Sequence, residues 1–554
     1  MKLTGSQIIA EILLEHGVDL VFGYPGGAAL NVYDALYEYR DQIRHVLTAH
    51  EQGAAHAADG YARSTGKTGV VFATSGPGAT NLVTGIATAF MDSVPMVAIT
   101  ANVPDSLIGR DAFQEVSITG VTMPVTKHNY FVNRIEDLPD ALHNAFRIAN
   151  SGRKGPVLVD ITKDVTAAKL DYKPGRPMER SEKMEPVDEK ELKKIASLIN
   201  SAKRPIVYFG GGVQTSEAGP ELHELMEKAD LPVTHTIMAT GVVGYDDPRN
   251  MGLIGMHGTI AANQAVDKAD LLLALGTRFS DRVALNPKKF ARKATKIQVD
   301  IDKAEINKNV KVDHALVDDV RDFLRRLLPL IEENHHADWI EEVTELKKKT
   351  GDVQCDDASL HPSEVIRSIC DLTDKQTIYV TDVGQHQMWA AQYLKHQNTH
   401  SFITSGGLGT MGFGYGAAIG AQIGNPGKRV IHITGDGSFH MNMNEACTAV
   451  SEKLPIITII MDNRVLGMVY QWQTSFYGGR YAGTVPDRQT DYVKVAEGFG
   501  AKGFRAETPA EFEAAFKAAL KEQGPVWIAC RIAQDERVLP MIPGGGTVDD
   551  MIIG

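Results

Sequence analysis

The chain has 554 residues, of which 43% are hydrophobic and 23% charged, as in an ordinary globular protein. This composition excludes collagen-like, disordered and coiled-coil classes, and the length predicts roughly three to four domains. Lys and Arg number 57 against 69 for Asp and Glu, so the formal net charge is −12 and nucleic acid is not expected as a partner.

The sequence also indicates where the protein is located in the cell. No apolar run reaches the ~18 residues of a membrane helix, so no membrane association is expected. The N-terminus has acidic residues at helical spacing and lacks the layout of a signal peptide. Four cysteines without a Cys-x-x-Cys pair indicate a reducing compartment. We therefore expect a cytoplasmic protein.

Short apolar runs alternate with amphipathic helical stretches along most of the chain. The runs cover residues 70–74, 95–100, 156–161, 205–209, 271–275, 430–434 and 455–461. Runs that are apolar throughout and separated by helices are typical of buried parallel strands with helices on both faces. The sequence therefore predicts an α/β fold of doubly wound parallel sheets.

Two polar stretches, residues 170–194 and 332–362, interrupt this pattern and are interpreted as linkers. They divide the chain into a first domain, a middle domain, a third domain and a tail, at residues 1–170, 190–332, 360–535 and 536–554. One plan of strand, Gly-x-Gly turn and helix recurs in VVFATSGPGATN and in VIHITGDGSFHMN. This indicates that the first and third domains are related and flank a different one.

The clearest chemical signal lies in the third domain. Asp436 stands in a Gly-Asp-Gly turn after one predicted strand, and Asn463 follows the next strand 27 residues later. In a parallel sheet both lie at the carboxyl ends of neighbouring strands, where α/β proteins bind ligands. A carboxylate, an amide oxygen and a nearby backbone carbonyl suit Mg²⁺ with phosphate. A Gly-Asp-Gly triplet alone is usually only a turn, but with Asn463 the layout resembles the thiamine diphosphate binding motif.

That resemblance implies a carboxylate against the aminopyrimidine ring, and Glu51 in AHEQGAAHAADGYAR corresponds to it. A glutamate at a strand-to-helix junction is otherwise often only a partner of the helix dipole. Glycine turns on both sides, FGYPGGA and TSGPGATN, favour the functional interpretation because backbone can approach a ring closely there. The residues that the resemblance assigns to ring binding in this domain are Tyr24, Pro25, Gly26, Pro77 and Asn81.

The resemblance implies further binding segments in the third domain. Gly409 would present its carbonyl to the exocyclic amine, and Met411 would be the apolar wedge between the two rings, although a methionine is otherwise common core filler. The carbonyl of Val465 would complete the metal site. The other residues expected to bind the cofactor here are Val383, Gly384, Gln385, His386, Gly435, Gly437, Ser438, Gly467 and Met468.

Longer matches point to one subfamily. DAFQE, GPVLVDITKDV, VGQHQMWAAQ, GGLGTMGFG and LGMVYQWQ resemble the acetohydroxyacid synthase catalytic subunit, and such matches extend over essentially the whole chain. The resemblance implies an enzyme that decarboxylates pyruvate and joins the two-carbon unit to pyruvate or 2-ketobutyrate, giving 2-acetolactate or 2-aceto-2-hydroxybutyrate. It also implies a homodimer or homotetramer with shared active sites, and it leaves room for a small regulatory subunit. The alternative is a flavin-free acetolactate synthase or a 2-keto acid decarboxylase.

A second cofactor is implied for the middle domain. GMHG and RFSDRV resemble the flavin-binding blocks of FAD-containing synthases, in which the flavin does no net redox chemistry. The sequence departs from that pattern at Ser280, where the family usually has Asp, and at residues 283–285, where Val-Ala-Leu replaces Val-Thr-Gly. The residues expected to bind FAD are Gly210, Gly211, Gly212, Gly255, Met256, His257, Gly276, Arg278, Asp300 and Asp319.

Five residues are expected at the reacting centre. By the same resemblance, Gln114 and Gly27 would line it. Lys163 and Arg282 are cationic candidates beside the substrate channel, and Arg282 is preferred because a guanidinium binds a carboxylate with two hydrogen bonds. Trp472, in LGMVYQWQ, would contact the alkyl group of the second keto acid, although a tryptophan on such a helix is otherwise more often a core residue.

Overall fold

The structure is a computed structural model that describes residues 1–175, 187–349 and 358–553. Three six-stranded parallel sheets organise these residues, and a two-stranded antiparallel ribbon accompanies the first sheet. The predicted α/β class is therefore confirmed, and every apolar run named above forms a strand. Parts of both predicted linkers fall outside the described residues, and the domain boundaries stay predictions.

The first sheet has the strand order β3-β2-β4-β5-β7-β6, and β1 pairs with β8 in the ribbon. Its strands are β1 (Lys2–Thr4), β2 (Leu20–Gly23), β3 (Arg44–Leu47), β4 (Gly69–Ala73), β5 (Met96–Asn102), β6 (His128–Val132), β7 (Pro156–Thr162) and β8 (Lys169–Asp171). Its helices are α1 (Gly5–Glu15), α2 (Leu30–Glu38), α3 (Glu51–Thr65), α4 (Pro77–Asn81), α5 (Val83–Met91), α6 (Ile118–Thr122), α7 (Leu138–Asn150) and α8 (Lys163–Ala167).

The middle sheet has the order β11-β10-β9-β12-β13-β14, which is the 3-2-1-4-5-6 order of dinucleotide-binding sheets. Its strands are β9 (Pro205–Phe209), β10 (Val233–His235), β11 (Asn250–Leu253), β12 (Leu271–Leu275), β13 (Thr295–Asp300) and β14 (His314–Val317). Its helices are α9 (Glu189–Ser201), α10 (Gly211–Thr215), α11 (Gly219–Lys228), α12 (Ile260–Lys268), α13 (Val320–Leu327) and α14 (Ala337–Lys349).

The third sheet has the order β16-β15-β17-β18-β20-β19. Counted from its own first strand this is 2-1-3-4-6-5, which is also the order of the first sheet. Its strands are β15 (Ile378–Thr381), β16 (Phe402–Ile403), β17 (Val430–Gly435), β18 (Ile457–Asp462), β19 (Lys502–Ala506) and β20 (Val526–Arg531). Its helices are α15 (Pro362–Leu372), α16 (Gln385–Tyr393), α17 (Phe413–Gly424), α18 (Asp436–Asn442), α19 (Ala446–Ser451), α20 (Gly467–Phe476), α21 (Tyr492–Phe499) and α22 (Pro509–Ala519).

Helix α3 of the first domain packs directly against α17 of the third. Both are rich in Gly and Ala, and a methyl group added at Gly60 would lie 2.1 Å from the carbonyl oxygen of Ala417. One added at Gly420 would lie 1.8 Å from the carbonyl oxygen of Ala57. Only glycine permits this approach of two backbones. One hydrophobic core therefore continues from the first sheet, through the two helices, to the third sheet.

The second predicted linker differs from expectation in its first half. Residues 337–349 form α14, and Trp339, Val343 and Leu346 are buried in the core of the middle domain. The indole N–H of Trp339 donates to the carbonyl of Pro205 at 2.9 Å. Spacings of four and three residues place these side chains on one helix face, a stripe that the surrounding charges obscure in the sequence. This half is part of the middle domain and not a linker.

Two further findings concern membrane helices and thiols. Within the described ranges, no helix combines the length and the apolar character needed to cross a bilayer. Cys370, Cys447 and Cys530 are free thiols.

Candidate active site

Three segments of the third domain meet at the carboxyl edge of its sheet. The ring of His386 lies against Gly384 and Gly435, since a Cβ added at either glycine would come within 2.8 Å of it. The N–H of Gly412 donates to the Ser438 hydroxyl at 3.0 Å. The structure therefore brings together the Val383–His386 turn, the Gly-Asp-Gly turn and the segment of residues 409–412. His386 is buried and its Nε2 has no hydrogen-bond partner among the described residues, which fits an anionic ligand at this edge.

Asp436 and Asn463 lie at the ends of paired neighbouring strands, as the sequence predicts. Asp436 is only 4% exposed. Burial, together with the nearby carboxylate of Asp462, raises the pKa of Asp436 to about 7. Asp436 forms no ion pair within the described part of the chain. Asp462 is itself paired with Arg531 at 3.0 Å, so Asp436 is the carboxylate of the two that is left to face a metal ion.

The predicted metal ligands do not form a cage of side chains. The described residues contain no group of three or more His, Cys, Asp or Glu side chains placed to hold a metal. Arg464 adopts a left-handed conformation with φ of 58°, and the turn returns the Val465 N–H to Asn463 Oδ1 at 3.2 Å. Mg²⁺ commonly takes only one or two carboxylates from the protein and the rest from water and phosphate. The donor set of Asp436, Asn463 and Val465 therefore fits Mg²⁺.

Two cofactor-segment glycines are explained by crowding. A Cβ at Gly467 would lie 1.9 Å from Gln385 Oε1. One at Gly437 would lie 2.5 Å from the Leu466 side chain, with Met411 Cε 4.0 Å away. The structure thus places Met411 beside the Gly-Asp-Gly turn and leaves no room for a side chain on either glycine.

Glu51 is the centre of a second cluster, in the first domain. It is the first residue of α3, and it is 9% exposed. Its Oε2 accepts a hydrogen bond from Asn81 at 2.9 Å, and a Cβ at Gly78 would lie 3.2 Å from its Oε1. Burial and the charge of Glu51 both raise the pKa of Tyr33. The predicted ring-binding loop of residues 74–81 therefore lies against this buried carboxylate.

The glycine turn upstream of Glu51, FGYPGGA, is partly exposed to solvent. Tyr24 is 41% exposed, and Gly27 has no heavy atom within 4 Å of an added Cβ. Pro25 is also exposed, whereas Gly26 packs against Thr74. This turn is available to a ligand or to a second subunit.

Gln114 lies at the same edge of the first domain. It has a left-handed φ of 60°, and its backbone is within 2.8 Å of a Cβ added at Gly76, which is next to Pro77. Lys163 is the first residue of α8, directly after β7, and its carbonyl accepts a hydrogen bond from Asn31 at 3.4 Å. The structure places Gln114 beside the ring-binding loop of Pro77.

The first and third domains are tied together close to Glu51. The Glu445 carboxylate accepts hydrogen bonds from Ala49 N–H at 3.1 Å and from His50 N–H at 3.0 Å. Within the described residues, however, no hydrogen bond connects the Glu51 side chain with the third domain. The two clusters are therefore separate groups within one chain.

The middle domain has its glycines at the point where its strand order reverses. Gly210, Gly211 and Gly212 follow β9, and Gly276 follows the neighbouring strand β12. The N–H of Gly212 donates to the carbonyl of Gly276 at 3.0 Å, and a Cβ at either residue would lie 2.5 Å from the other backbone. Dinucleotides bind at such switch points in open α/β sheets. The glycine cradle therefore fits a dinucleotide phosphate.

The two predicted flavin blocks pack on each other. Met256 N–H donates to the carbonyl of Arg282 at 2.8 Å, and a Cβ at Gly255 would lie 2.4 Å from that same oxygen. His257 is buried, and its Nδ1 has no partner in the described part of the chain. An unpaired buried nitrogen beside a glycine turn fits a bound polar ligand.

The other predicted flavin residues are spread along the same sheet edge. Arg278 follows β12, and its Nη2 lies 2.9 Å from a Cβ added at Gly407 of the third domain. Asp300 ends β13, and burial raises its pKa to about 6. Asp319 caps α13 by accepting hydrogen bonds from the N–H groups of Arg321 and Asp322. Asp319 therefore has a structural partner of its own.

Arg282 and Trp472 come together although they belong to different domains. The guanidinium carbon of Arg282 lies 5.9 Å from the centroid of the Trp472 ring. The indole N–H of Trp472 is buried and has no hydrogen-bond partner among the described residues. A cation therefore lies over the face of an aromatic ring at this boundary between two domains. Of the two cationic candidates, the structure pairs Arg282 with Trp472; Lys163 has no contact with either in the part of the chain described.

Comparison with known proteins agrees with this arrangement. Residues 3–121, 192–327 and 382–530 match the N-terminal TPP binding domain, the central domain and the C-terminal TPP binding domain of thiamine pyrophosphate enzymes. A probable acetolactate synthase large subunit of Methanocaldococcus jannaschii is 44% identical over 99% of this chain and 95% of its own length. Two large subunits of Escherichia coli K12, of acetolactate synthase isozymes 1 and 2, are 43% and 42% identical over at least 98% of each chain.

The chain belongs to the acetolactate synthase large-subunit family. The resemblance found in the sequence motifs is therefore confirmed. The predicted fold and the predicted thiamine diphosphate cofactor are confirmed by the same matches.

The structure adds members to the site that the family motifs did not point out. Asp382, directly after β15, is fully buried and accepts hydrogen bonds from Gly414 N–H and the Thr434 hydroxyl, both at 2.8 Å. Burial alone would raise the pKa of Asp382, but contact with His432 lowers it to about 2. Its hydrogen bonds therefore connect the end of β15 with the start of α17 and the end of β17, and each of these adjoins a predicted cofactor-binding segment. The sequence offered one indication of this role, since Asp382 is a charged residue directly after an apolar strand.

Proposed function

We propose that this chain is a thiamine diphosphate-dependent acetolactate synthase. It decarboxylates pyruvate and joins the two-carbon unit to a second 2-keto acid, giving 2-acetolactate from pyruvate or 2-aceto-2-hydroxybutyrate from 2-ketobutyrate. The observation that carries the proposal is the Arg282–Trp472 pair. A guanidinium for a carboxylate beside an apolar wall is what a second keto acid requires, whereas a simple decarboxylase binds only one.

Each cluster has a separate task in this reaction. Thiamine diphosphate, when bound, supplies the electron sink that decarboxylation of a 2-keto acid needs. Glu51 holds and returns the proton of the aminopyrimidine ring, as a buried general acid–base group. Asp436, Asn463 and the carbonyl of Val465 would hold Mg²⁺, which would supply positive charge to the diphosphate. The Gly409 carbonyl and the Met411 side chain hold the ring system.

The substrate side is formed by the open turn and the interdomain pair. Gly27 and Gln114 line the reacting centre. Arg282 binds the carboxylate of the second keto acid, and Trp472 contacts its alkyl group. Lys163 is the second cation of the channel.

We infer that the middle domain binds FAD without using its redox chemistry. The support is the glycine cradle at the switch point between β9 and β12 and the unpaired Nδ1 of His257. The test is the absorbance spectrum of the purified protein: a yellow protein with flavin bands supports the inference. A colourless protein with full synthase activity, unchanged by added FAD, would favour the flavin-free alternative.

One assay tests the function itself. Pyruvate is supplied with thiamine diphosphate and Mg²⁺, with and without FAD, and acetolactate and acetaldehyde are measured separately. We expect acetolactate as the main product and its loss when Mg²⁺ is chelated. Acetaldehyde as the main product would contradict the synthase and support the decarboxylase.

We also propose a homodimer or homotetramer that shares its active sites between subunits. The support is the absence, in the described residues, of a hydrogen bond between the Glu51 side chain and the third domain, together with the exposed turn at Tyr24. The test mixes two inactive variants, Glu51→Gln and Asp436→Ala. If sites are shared, a mixed dimer has one intact site and regains activity. If each chain forms its own site, mixing restores nothing.

A small partner subunit is the last element of the proposal. The relatives carry the name "large subunit", and we propose that this chain also has a smaller partner. Addition of a purified small subunit from the same genome should change the rate or the response to amino acids.

We also keep the cytoplasmic location as a prediction, which imaging of a tagged chain tests.

A further inference from the structure

Gln471 precedes Trp472 on α20 and is not explained by cofactor or substrate binding. Its side chain is 3% exposed, whereas most of α20 is accessible. A buried glutamine is most often a satisfied core residue whose partners lie in its own domain. Gln471 differs because its partners are the C-terminal tail, at Val538 and Met541, and Gln385 of the predicted diphosphate turn.

The amide of Gln471 pairs with the backbone of one residue of the C-terminal tail. Its Oε1 accepts the N–H of Val538 at 2.9 Å, and its Nε2 donates to the carbonyl of Val538 at 3.2 Å. The side chain thus acts as a short strand would, satisfying both backbone groups of a buried residue. An apolar side chain here would leave the N–H and the carbonyl of Val538 buried without the partners that Gln471 provides, which is unfavourable for both groups.

The tail carries this contact to the flavin block of the middle domain. Four residues after Val538, the N–H of Ile542 donates to the carbonyl of Met256 at 2.8 Å. Met256 in turn donates its own N–H to the carbonyl of Arg282. The backbone that carries Arg282 and the helix that carries Trp472 are therefore fixed to one strap, formed by residues 536–542.

On its other side, Gln471 contacts the diphosphate turn. Its Oε1 also accepts a hydrogen bond from Gln385 Nε2 at 3.0 Å. The same Gln385 nitrogen donates to the carbonyl of Glu536 at 2.7 Å, and Gln385 Oε1 accepts from Asn463 Nδ2 at 3.3 Å. A continuous chain of amides therefore extends from Asn463 through Gln385 and Gln471 to the tail, and Gln471 is the member of this chain that belongs to α20.

We propose that Gln471 is a positioning residue for acceptor specificity. It sets the orientation of the Trp472 ring against Arg282 by fixing α20 to the tail and to the diphosphate turn. The inference rests on the proposed function, because it assigns the Arg282–Trp472 pair to the second keto acid. Gln471 itself touches neither substrate. Its loss therefore changes which acid is accepted more than it changes the decarboxylation of pyruvate.

The test compares Gln471→Met with Gln471→Glu. Methionine keeps the length and loses all hydrogen bonds, whereas glutamate keeps an acceptor for Val538 N–H and loses the donor to its carbonyl. With pyruvate and 2-ketobutyrate in competition, we expect the ratio of the two products to shift by about tenfold in Gln471→Met and by less in Gln471→Glu. The KM for pyruvate as sole substrate should stay within about twofold of the unmodified protein. Gln489→Met, an exposed glutamine of the same domain, is the matched control and should leave the ratio unchanged.

A second measurement does not need the loaded enzyme. Hydrogen exchange of the peptide that contains Val538 should be faster in the cofactor-free Gln471→Met protein, while exchange in the core strand β18 stays unchanged. An unaltered product ratio in a folded Gln471→Met protein overturns the proposal, and if that variant does not fold, an unaltered ratio in Gln471→Glu does so. If the unmodified protein forms neither product, the proposed function has failed instead, while the exchange experiment still tests the Gln471–tail contact.

Discussion

The first and third domains have the same strand order, yet they place different chemistry at the same edge of the sheet. Each offers a buried acid as the first residue of a helix that follows a strand, Glu51 in α3 and Asp436 in α18. Glu51 has a neutral donor, Asn81, for a partner. Asp436 has a second carboxylate, Asp462, beside it. The former arrangement suits proton transfer and the latter suits a cation, so the neighbours decide the role and the fold does not.

The same contrast appears in a second pair of buried acids. Asp160 on β7 has only the hydroxyl of Thr100 and the amide of Asn102 as donors, and burial raises its pKa to about 6. Asp382 after β15 has the ring of His432 at 3.2 Å, which holds its pKa low. The contact with His432 therefore separates Asp382 from Asp160, whose neutral donors do not offset the effect of burial on its pKa.

The largest expected effect comes from Glu51→Gln. The variant keeps the size of the side chain and its contact with Asn81, but it removes proton transfer to the ring. General acid–base groups contribute ~10²–10⁴-fold, so turnover should fall by about that factor while the fold persists. Proton exchange at C2 of the bound cofactor is the measurement, with exposed Glu136→Gln as control. Unchanged exchange would remove Glu51 from the mechanism.

Asp436→Ala tests the buried acid of the third domain, for which a metal-binding role is proposed. It removes a buried carboxylate that forms no ion pair within the described residues and that is the proposed ligand of Mg²⁺, so the affinity for thiamine diphosphate should fall by at least about 100-fold. Raised Mg²⁺ should restore only part of that affinity. Titration of the cofactor by protein fluorescence measures it, and exposed Asp487→Ala is the control. Affinity equal to that of the unmodified protein would show that the metal lies elsewhere.

Asp160 predicts a pH effect on stability. Because its folded pKa is raised, the folded state keeps its proton while the unfolded state loses it between about pH 4 and pH 6. Its contribution to the free energy of unfolding therefore falls as pH rises through this window, by about 3 kcal/mol at most, and then levels off. Asp160→Asn should remove that slope, measured as the difference in denaturant unfolding between variant and unmodified protein. Exposed Asp140→Asn should leave the slope intact.

Local patterns were sufficient for much of the fold and the site. Buried parallel strands are apolar throughout, so the strand runs could be recognised without tertiary information. Asp436 and Asn463 follow strands directly, and strand ends are brought together by any parallel sheet. Other features depend on distant segments. The burial of Trp339, the carboxylate of Asp382 and the pairing of Gln471 with the tail arise from packing between elements far apart in the chain, which no local spacing reports.

The smallest predicted effect concerns Trp472, the side chain of the third domain that contacts Arg282 of the middle domain. Pyruvate and 2-ketobutyrate differ by one methylene, and an apolar contact discriminates such a difference by ~1–3 kcal/mol. Trp472→Leu removes the ring that faces Arg282 and the buried indole N–H that has no partner in the described residues. We expect the preference for 2-ketobutyrate to fall by about tenfold, with acetolactate formation from pyruvate largely intact. Competition between both acids measures the product ratio, and Trp339→Leu, in the core of the middle domain, is the comparison that should lower stability without changing this ratio. A constant ratio in a folded Trp472→Leu protein would make Trp472 a packing residue and leave Arg282 without its apolar counterpart.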